Sequence, residues 1–93
     1  MIEYDQKKNE RNIRLRGLDF NLIYDFEWGW AVIEEDKRKD YGEKRYIATS
    51  YLGSRLHHVS YTLRNDVVRV ISFRKANKRE EKNYEEKTRL RIH

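Results

Sequence analysis

The chain has no cysteine and no proline among its 93 residues, and it has only four glycines. Without cysteine, neither a disulfide framework nor a zinc–thiolate site can form. The lack of disulfides fits a cytoplasmic protein. No apolar run approaches the length of a membrane span, and residues 1–8 lack the apolar stretch of a signal peptide. We therefore expect neither a membrane anchor nor a leader.

Apolar residues are also scarce, at 38% of the chain, whereas 40% of the residues are charged. A chain of 93 residues forms one domain, so we expect a single domain over 1–93 with a thin core. Tyrosine supplies seven of the aromatic residues, and half-buried tyrosine rings can supplement such a core. Periodic strands argue against disorder in the body of the chain, and a disordered tail over about residues 85–93 stays open.

Charge is distributed unevenly along the chain, whose net charge is +5. Residues 17–43 carry eight acidic and three basic side chains, a net charge of −5. Residues 44–73 and 74–93 each carry a net charge of +4. The basic half could attract nucleic acid or an acidic protein, whereas the acidic segment would repel a phosphate backbone.

Capping and turn signals predict an α+β domain in which N-terminal helices pack on a four-stranded antiparallel meander followed by a C-terminal helix. Asp5 and Asp19 are expected helix N-caps. The first helix should rest on the body through Ile13 and Leu15. The expected elements are an edge strand at Met1–Tyr4, helices at Gln6–Arg16 and after Asp19, strands at Trp30–Asp36, Glu43–Leu52, Leu56–Arg64 and Val67–Phe73, and a helix at Lys75–Arg89.

The turn at Asn65-Asp66 sets the register of the last two strands if it is two residues long. Thr62 then pairs with Arg69, and directly paired residues share a face of the sheet. The predicted core face carries Val59, Tyr61, Leu63, Val68 and Val70, and Arg74 begins on that side. The predicted polar face carries His58, Ser60, Thr62, Arg64, Arg69, Ile71 and Phe73.

A second turn, at Gly53-Ser54, decides whether Arg45 belongs to the same polar face. A two-residue turn puts Arg45 beside Thr62 and Arg69 across three strands. A three-residue turn over Gly53–Arg55 would reverse the third strand and remove Arg45 from the group. Exposed arginine is common, so ordinary surface charge remains the alternative explanation for each arginine taken singly.

Three stretches resemble the BrnT family of ribonuclease toxins from bacterial type II toxin–antitoxin systems. These stretches are YDQKKNERNIRLRGLDF at Tyr4–Phe20, DYGEKRYIA at Asp40–Ala48 and RVISFRKANKREEKNY at Arg69–Tyr84. They cover both ends and the middle of the chain in the family's order. The chain departs from the family pattern at Arg16, Leu63 and Phe73.

The resemblance implies a RelE-like fold and a cytoplasmic endoribonuclease that inhibits translation. It implies a cognate DNA-binding, BrnA-like antitoxin that neutralises the toxin, in a heterotetramer with two copies of each chain. Operator DNA would be bound only through the antitoxin. No metal or other cofactor is expected.

Metal-free RNA cleavage uses the substrate's 2′-hydroxyl as the nucleophile, so the protein must stabilise phosphoryl charge and transfer protons. Arginine suits the first task because its planar fork binds two phosphate oxygens. We expect Arg64, Arg69 and Arg74 to do this, with His58 or Glu43 in proton transfer. The expected RNA-binding residues are Arg45, Thr62, Lys75 and Tyr84, although Tyr84 could instead belong to the core.

Two alternatives stay open beside this interpretation. The His57-His58 doublet could be structural, and it is a poor metal site because adjacent strand residues point to opposite faces. The whole basic hairpin could belong to a catalytically inactive module that binds RNA or an acidic antitoxin segment.

Overall fold

A five-stranded mixed sheet forms the centre of the protein in a computed structural model, which describes residues 1–92. The spatial order of its strands is β1-β5-β4-β3-β2. Short 3₁₀ helices cover Phe20–Asp25 and Trp28–Trp30. The regular elements are β1 (Ile2–Tyr4), α1 (Gln6–Arg16), β2 (Val32–Glu35), β3 (Tyr46–Leu52), β4 (Arg55–Arg64), β5 (Val67–Lys75) and α2 (Lys78–Ile92).

The α+β class agrees with the sequence prediction, but the predicted sheet was wrong in extent: it has five strands and is mixed, not four-stranded and antiparallel. β2 to β5 form the predicted meander, and β1 joins it as a fifth strand that runs parallel to β5. Ile2 pairs with Val68 and Tyr4 with Val70. This pairing joins distant parts of the chain through a strand of only three residues. No turn links the two strands directly, so the sequence pattern did not predict their pairing.

Both predicted two-residue turns are present. Asn65 and Asp66 have φ angles of 53° and 64°, the left-handed pair that a tight hairpin requires and that Asn and Asp tolerate. Leu52 pairs with Arg55, so the other turn contains only Gly53 and Ser54. Thr62 pairs with Arg69, as predicted.

A β-bulge at Ile71 of β5, opposite the step from Ser60 to Tyr61 on β4, changes the faces of the second half of β5. Beyond it, Val59 pairs with Phe73 and His58 with Arg74. The predicted faces of Phe73 and Arg74 are therefore both wrong: Phe73 is a fully buried core residue, and Arg74 lies beside His58. Leu63, predicted as core, is 48% exposed because it lies near the hairpin turn.

Helix α1 is held against β5 by asparagines rather than by its apolar residues. Ile13 and Leu15 are 42% and 63% exposed, so the predicted apolar contact is wrong. Instead, buried Asn12 donates to the carbonyl oxygens of Leu18 and Phe73 and accepts from the Phe73 N–H. Asn9 accepts from the Phe20 N–H. The predicted N-cap is present, since Asp5 accepts from the N–H groups of Lys7 and Lys8.

The main core lies between the sheet and residues 18–31. The predicted second helix is a 3₁₀ helix whose N-cap is Asp19, as expected. The buried apolar residues of this core are Leu18, Phe20, Ile23, Phe26, Ala31, Ala48, Val59, Tyr61, Val70 and Phe73.

Helix α2 packs on the opposite side of the sheet, where Leu56, Ala76 and Tyr84 form a smaller core. It begins three residues later than predicted and runs to Ile92, over most of the segment for which a disordered tail stayed open. His93, the last residue of that segment, lies outside the described residues. Within residues 1–92, no helix combines the length and apolar character needed to cross a bilayer.

Candidate active site

The sheet face opposite the main core is called the open face here. It carries the side chains of His58, Ser60, Thr62 and Arg64 on β4, and strand pairing brings β3 and β5 side chains beside them. Helix α2 covers only the end of this face near Leu56. Two depressions remain on this face, one lined by His58 and Ser60 and the other by Thr62 and Arg64.

One end of the open face, the arginine end, contains two of the three arginines predicted to bind phosphate, Arg64 and Arg69. A depression there is lined by Glu43, Arg45, Thr62, Arg64 and Arg69, together with Asp5, Lys8, Val70 and Ile71. Pairing of Thr62 with Arg69 and the tight turn before Arg55 bring three strands together at this point. The predicted grouping of these side chains is present.

Carboxylates accompany the arginines of this end. Glu43 lies 3.4 Å from Arg64 Nη2 and 3.7 Å from Arg45 Nε. Arg69 Nη1 lies 3.2 Å from Glu3 of β1, a partner that the sequence prediction missed. All of these pairs keep solvent contact, so a phosphate can compete with the carboxylates at low energetic cost.

Thr62 and Arg45 have local structural contacts as well. Thr62 is buried, and its hydroxyl donates to the Lys44 carbonyl oxygen over 2.7 Å. The Arg45 guanidinium stacks on the Tyr41 ring at 4.1 Å from its centroid, and its buried Nε has no hydrogen-bond partner. Thr62 therefore supports the loop before β3, whereas Arg45 retains an unused donor.

The other end of the open face contains a cluster that we call the Arg74 cluster: His58, Arg74 and Glu80. Arg74 donates to both oxygens of Glu80 over 2.8 Å each, a bidentate pair. His58 Nδ1 lies 2.9 Å from Arg74 Nη2 and 3.1 Å from Glu80 Oε2. The bulge in β5 creates this cluster by turning Arg74 toward His58.

Glu80 is fixed by the start of α2. Its side chain accepts from the Asn77 N–H, and the Asn77 side chain accepts from the Glu80 N–H. This is a reciprocal capping box, and the spacing N-x-x-E at Asn77–Glu80 was the sequence signal for it. The sequence prediction did not include Glu80 among the site residues, so its contact with Arg74 was missed.

The charges in this cluster are strongly coupled. Hydrogen bonds from Arg74 lower the pKa of Glu80 to about 2, against the opposing effect of burial. The same hydrogen bonding raises the pKa of Arg74. Burial lowers the pKa of His58; Glu80 opposes this change, and the charges of Arg74 and Arg38 add to it. His58 is therefore neutral at pH 7, while Glu80 and Arg74 are charged.

A cavity of about 550 Å³, the loop cavity, adjoins the Arg74 cluster. Ile47, Thr49, Ser60 and Ser72 lie along the sheet side of it. The remaining lining residues are Val32, Glu34, Glu35, Asp36, Lys37, Arg38, His58, Arg74, Arg79, Glu80 and Asn83.

Two predicted RNA-binding residues lie outside this arrangement. Lys75 pairs with His57 across the strands, so it belongs to the face opposite Arg74. Tyr84 is buried in the small core, and its hydroxyl donates to the Trp30 carbonyl oxygen. His57 is also buried, with its ring 5.4 Å from that of Phe73, as the structural interpretation of the histidine doublet expects.

The open face can bind anions at two points and move protons at one. His58 and Thr62 are four residues apart on β4, which corresponds to about 13 Å between the two ends. In the part of the chain from residue 1 to 92, no group of three or more His, Cys, Asp or Glu side chains is arranged to hold a metal ion. Fold and site thus define a small α+β protein with a cationic, histidine-containing sheet face.

Comparison with known proteins gives the family. The family model described as "Ribonuclease toxin, BrnT, of type II toxin-antitoxin system" matches residues 4–80. The crystal structure of the Brucella abortus ribonuclease toxin BrnT is similar, with a TM-score of 0.67 and 26% sequence identity over 83% of this chain and 96% of that one. A search of curated proteins finds no match. The chain belongs to the BrnT family of ribonuclease toxins of type II toxin–antitoxin systems.

Proposed function

We propose that this protein is a metal-independent endoribonuclease toxin that cleaves cellular RNA in the cytoplasm and thereby inhibits translation. The observation that carries the proposal is the open face, where Arg64 and Arg69 lie at one end and Arg74 lies beside His58 at the other. Family membership supports ribonuclease activity and implies an antitoxin partner.

The proposed reaction is attack of a ribose 2′-hydroxyl on the adjacent phosphate, with departure of the 5′-oxygen and formation of a 2′,3′-cyclic phosphate. Arg64 and Arg69 bind the phosphates of the RNA strand, and Arg74 stabilises the charge on the phosphoryl oxygens. Glu43 keeps Arg64 and Arg45 in place and is the candidate base that accepts the 2′-hydroxyl proton. Arg45, whose guanidinium stacks on Tyr41 at the edge of the same depression, binds the flanking backbone.

His58 is the best-placed residue for proton transfer. It is neutral at pH 7, and its Nδ1 is within hydrogen-bonding distance of Glu80. Arg74 Nη2 can only donate, so at 2.9 Å it bonds the lone pair of His58 Nδ1, and the neutral ring carries its proton on Nε2. His58 would then donate from Nε2 to the departing 5′-oxygen, and Glu80 would hold Arg74 and the ring in place without touching the substrate.

A catalytically inactive binding module is the second candidate. The observation that favours it is the pairing of Arg45, Arg64, Arg69 and Arg74 with carboxylates. An acidic segment of an antitoxin could replace those carboxylates as readily as RNA does. We also propose that a BrnA-like, DNA-binding antitoxin neutralises the toxin in a heterotetramer, and that operator DNA is bound only through that partner.

Arg69→Ala separates the two functions. Growth arrest should be lost and RNA cleavage should fall about 10- to 100-fold, the effect of losing one hydrogen bond to a charged group. The fold and the antitoxin complex should persist, because the Arg69–Glu3 pair is only partly buried and adds little stability. Arg14→Ala, which removes an exposed arginine of α1, is the matched control and should retain activity. Full cleavage by Arg69→Ala would refute the assignment of Arg69.

A further inference from the structure

The loop between β2 and β3 holds an arginine in a fixed position at the loop cavity. Arg38 Nε donates to Asp36 Oδ1 and Arg38 Nη2 donates to Asp36 Oδ2, each over 2.9 Å. Asp36 also accepts from the Tyr41 hydroxyl and from the Arg38 N–H. These contacts fix the guanidinium plane, although 75% of the Arg38 side chain is exposed, against 5% for Asp36.

Holding a long charged side chain in one place costs conformational entropy, so an exposed arginine on a surface loop is usually mobile. Arg38 is instead held by Asp36. The contacts with Asp36 use Nε and Nη2, so Nη1 is the donor available to a ligand. Hydrogen bonds from Arg38 hold the pKa of Asp36 far below its ordinary range, so this pair stays charged at every physiological pH.

Arg38 and the Arg74 cluster border the same cavity. Both arginines line the loop cavity, and the positive charge of Arg38 opposes protonation of His58. Each arginine is paired with a carboxylate that lines the same cavity, so an anion there would be bound by the N–H donors that these pairs leave unused and not by a net positive charge. The hydroxyls of Thr49, Ser60 and Ser72 on the sheet side can serve either as donors or as acceptors.

The dimensions of the cavity restrict the ligand. A volume of about 550 Å³ lies within the range of pockets that hold one small molecule. It can accommodate one nucleotide but not a double helix, and single-stranded RNA can present an unstacked nucleotide to such a site. The acidic lining residues Glu34 and Glu35 would repel additional phosphates on that side, which confines the backbone to the space between the two arginines.

We propose that the loop cavity is the binding subsite for one ribonucleotide of a single-stranded RNA, with Arg38 contacting its phosphate opposite Arg74. This inference deepens the proposed function and rests on it for the identity of the ligand as RNA. The residue that it adds, Arg38, belongs to the acidic segment 17–43, whose net negative charge would by itself repel a phosphate.

The test measures binding without cleavage. The probe is a fluorescein-labelled, fully 2′-O-methyl RNA dodecamer of mixed sequence, which cannot undergo attack by a 2′-hydroxyl. Fluorescence anisotropy gives Kd at a series of salt concentrations for wild type, Arg38→Ala, Arg38→Lys and Lys39→Ala. Lys39 is the matched control, because it is a cation of the same loop that contacts Tyr41 and does not line the loop cavity.

Arg38→Ala should weaken binding about tenfold, the lower end for loss of a hydrogen bond to a charged group. It should also reduce the slope of log Kobs against log salt by about 0.7, the value for one phosphate contact with a single strand. Arg38→Lys should retain the slope, and Lys39→Ala should retain both quantities. Circular dichroism spectra that match the wild type show that each variant is folded.

Equal effects of Arg38→Ala and Lys39→Ala would overturn the subsite, and so would a wild-type protein that does not bind the probe. RNA cleavage that is unaffected by Arg38→Ala would refute the subsite and leave the proposed function standing. Arg38-dependent binding by a wild-type protein that cleaves no RNA would refute the nuclease and leave the subsite standing.

Discussion

The contact between Glu80 and Arg74 joins α2 to the sheet, and Glu80→Gln measures how much it stabilises the protein. Gln has nearly the same shape and is also found at this position of capping boxes, so the substitution removes the charge and leaves the helix cap. A pKa of about 2 in place of 4.5 corresponds to about 3 kcal/mol in favour of the ionised form. Because 37% of the Arg74 side chain is exposed, solvent screens the pair, and we expect a loss of about 2 kcal/mol.

The loss should depend on pH in a defined direction. The pKa of Glu80 is lowered in the folded state, so its stabilising contribution is present in full above pH 4.5 and disappears as the pH falls toward 2. Wild type and Glu80→Gln should therefore differ most at pH 6–7 and converge near pH 2. At neutral pH the variant should melt about 8–16 °C below the wild type, given the usual relation for a domain of this size.

Urea denaturation followed by circular dichroism at pH 7, 5 and 3 gives the free energies of unfolding. Glu81→Gln is the matched control, since Glu81 lies 3.8 Å from a half-exposed Arg55 and should contribute less than about 0.5 kcal/mol. If the two variants lose the same free energy, or if the Glu80→Gln profile stays parallel to that of the wild type between pH 5 and 3, the ion pair is not the stabilising contact described above.

Two further substitutions test the elements around the site. Asn12→Ala removes the side chain that hydrogen-bonds the Phe73 backbone, so a buried N–H and a buried carbonyl lose their partner. Urea denaturation should show a free energy of unfolding lower by about 2–3 kcal/mol. A decrease below about 0.5 kcal/mol would contradict this anchoring role. Tyr84→Phe keeps the ring contact with Tyr51 and removes the hydrogen bond to Trp30, so it should cost about 1 kcal/mol without changing RNA affinity. An RNA affinity reduced tenfold by Tyr84→Phe would instead indicate contact with the substrate.

The hairpin of β4 and β5 was predictable because its turn is local. Asn65-Asp66 determines the pairing of Thr62 with Arg69, and each link in that argument is a short-range rule. The bulge at Ile71 was not predictable, because it arises from packing of Phe73 into a core formed by residues distant in sequence. One inserted residue then moved Arg74 to the open face.

Other differences share this dependence on distant contacts. The parallel pairing of β1 and the burial of Asn9 and Asn12 require groups from β5 and residues 18–20. Neither polar residue would be assigned to a core from an apolar pattern. Arg38 was missed because the surrounding segment is acidic, and its importance follows from Asp36 and from the cavity formed between the loop and α2.

The most direct test of the central claim is the chemistry of the cleaved ends. The wild-type protein, freshly released from its antitoxin, is incubated with end-labelled RNA in the presence of EDTA, and the products are analysed for their termini. We predict cleavage with a 2′,3′-cyclic phosphate on one fragment and a 5′-hydroxyl on the other, and no cleavage of the 2′-O-methyl RNA. Absence of cleavage, loss of cleavage with EDTA, or products with a 3′-hydroxyl and a 5′-phosphate would contradict the proposed mechanism.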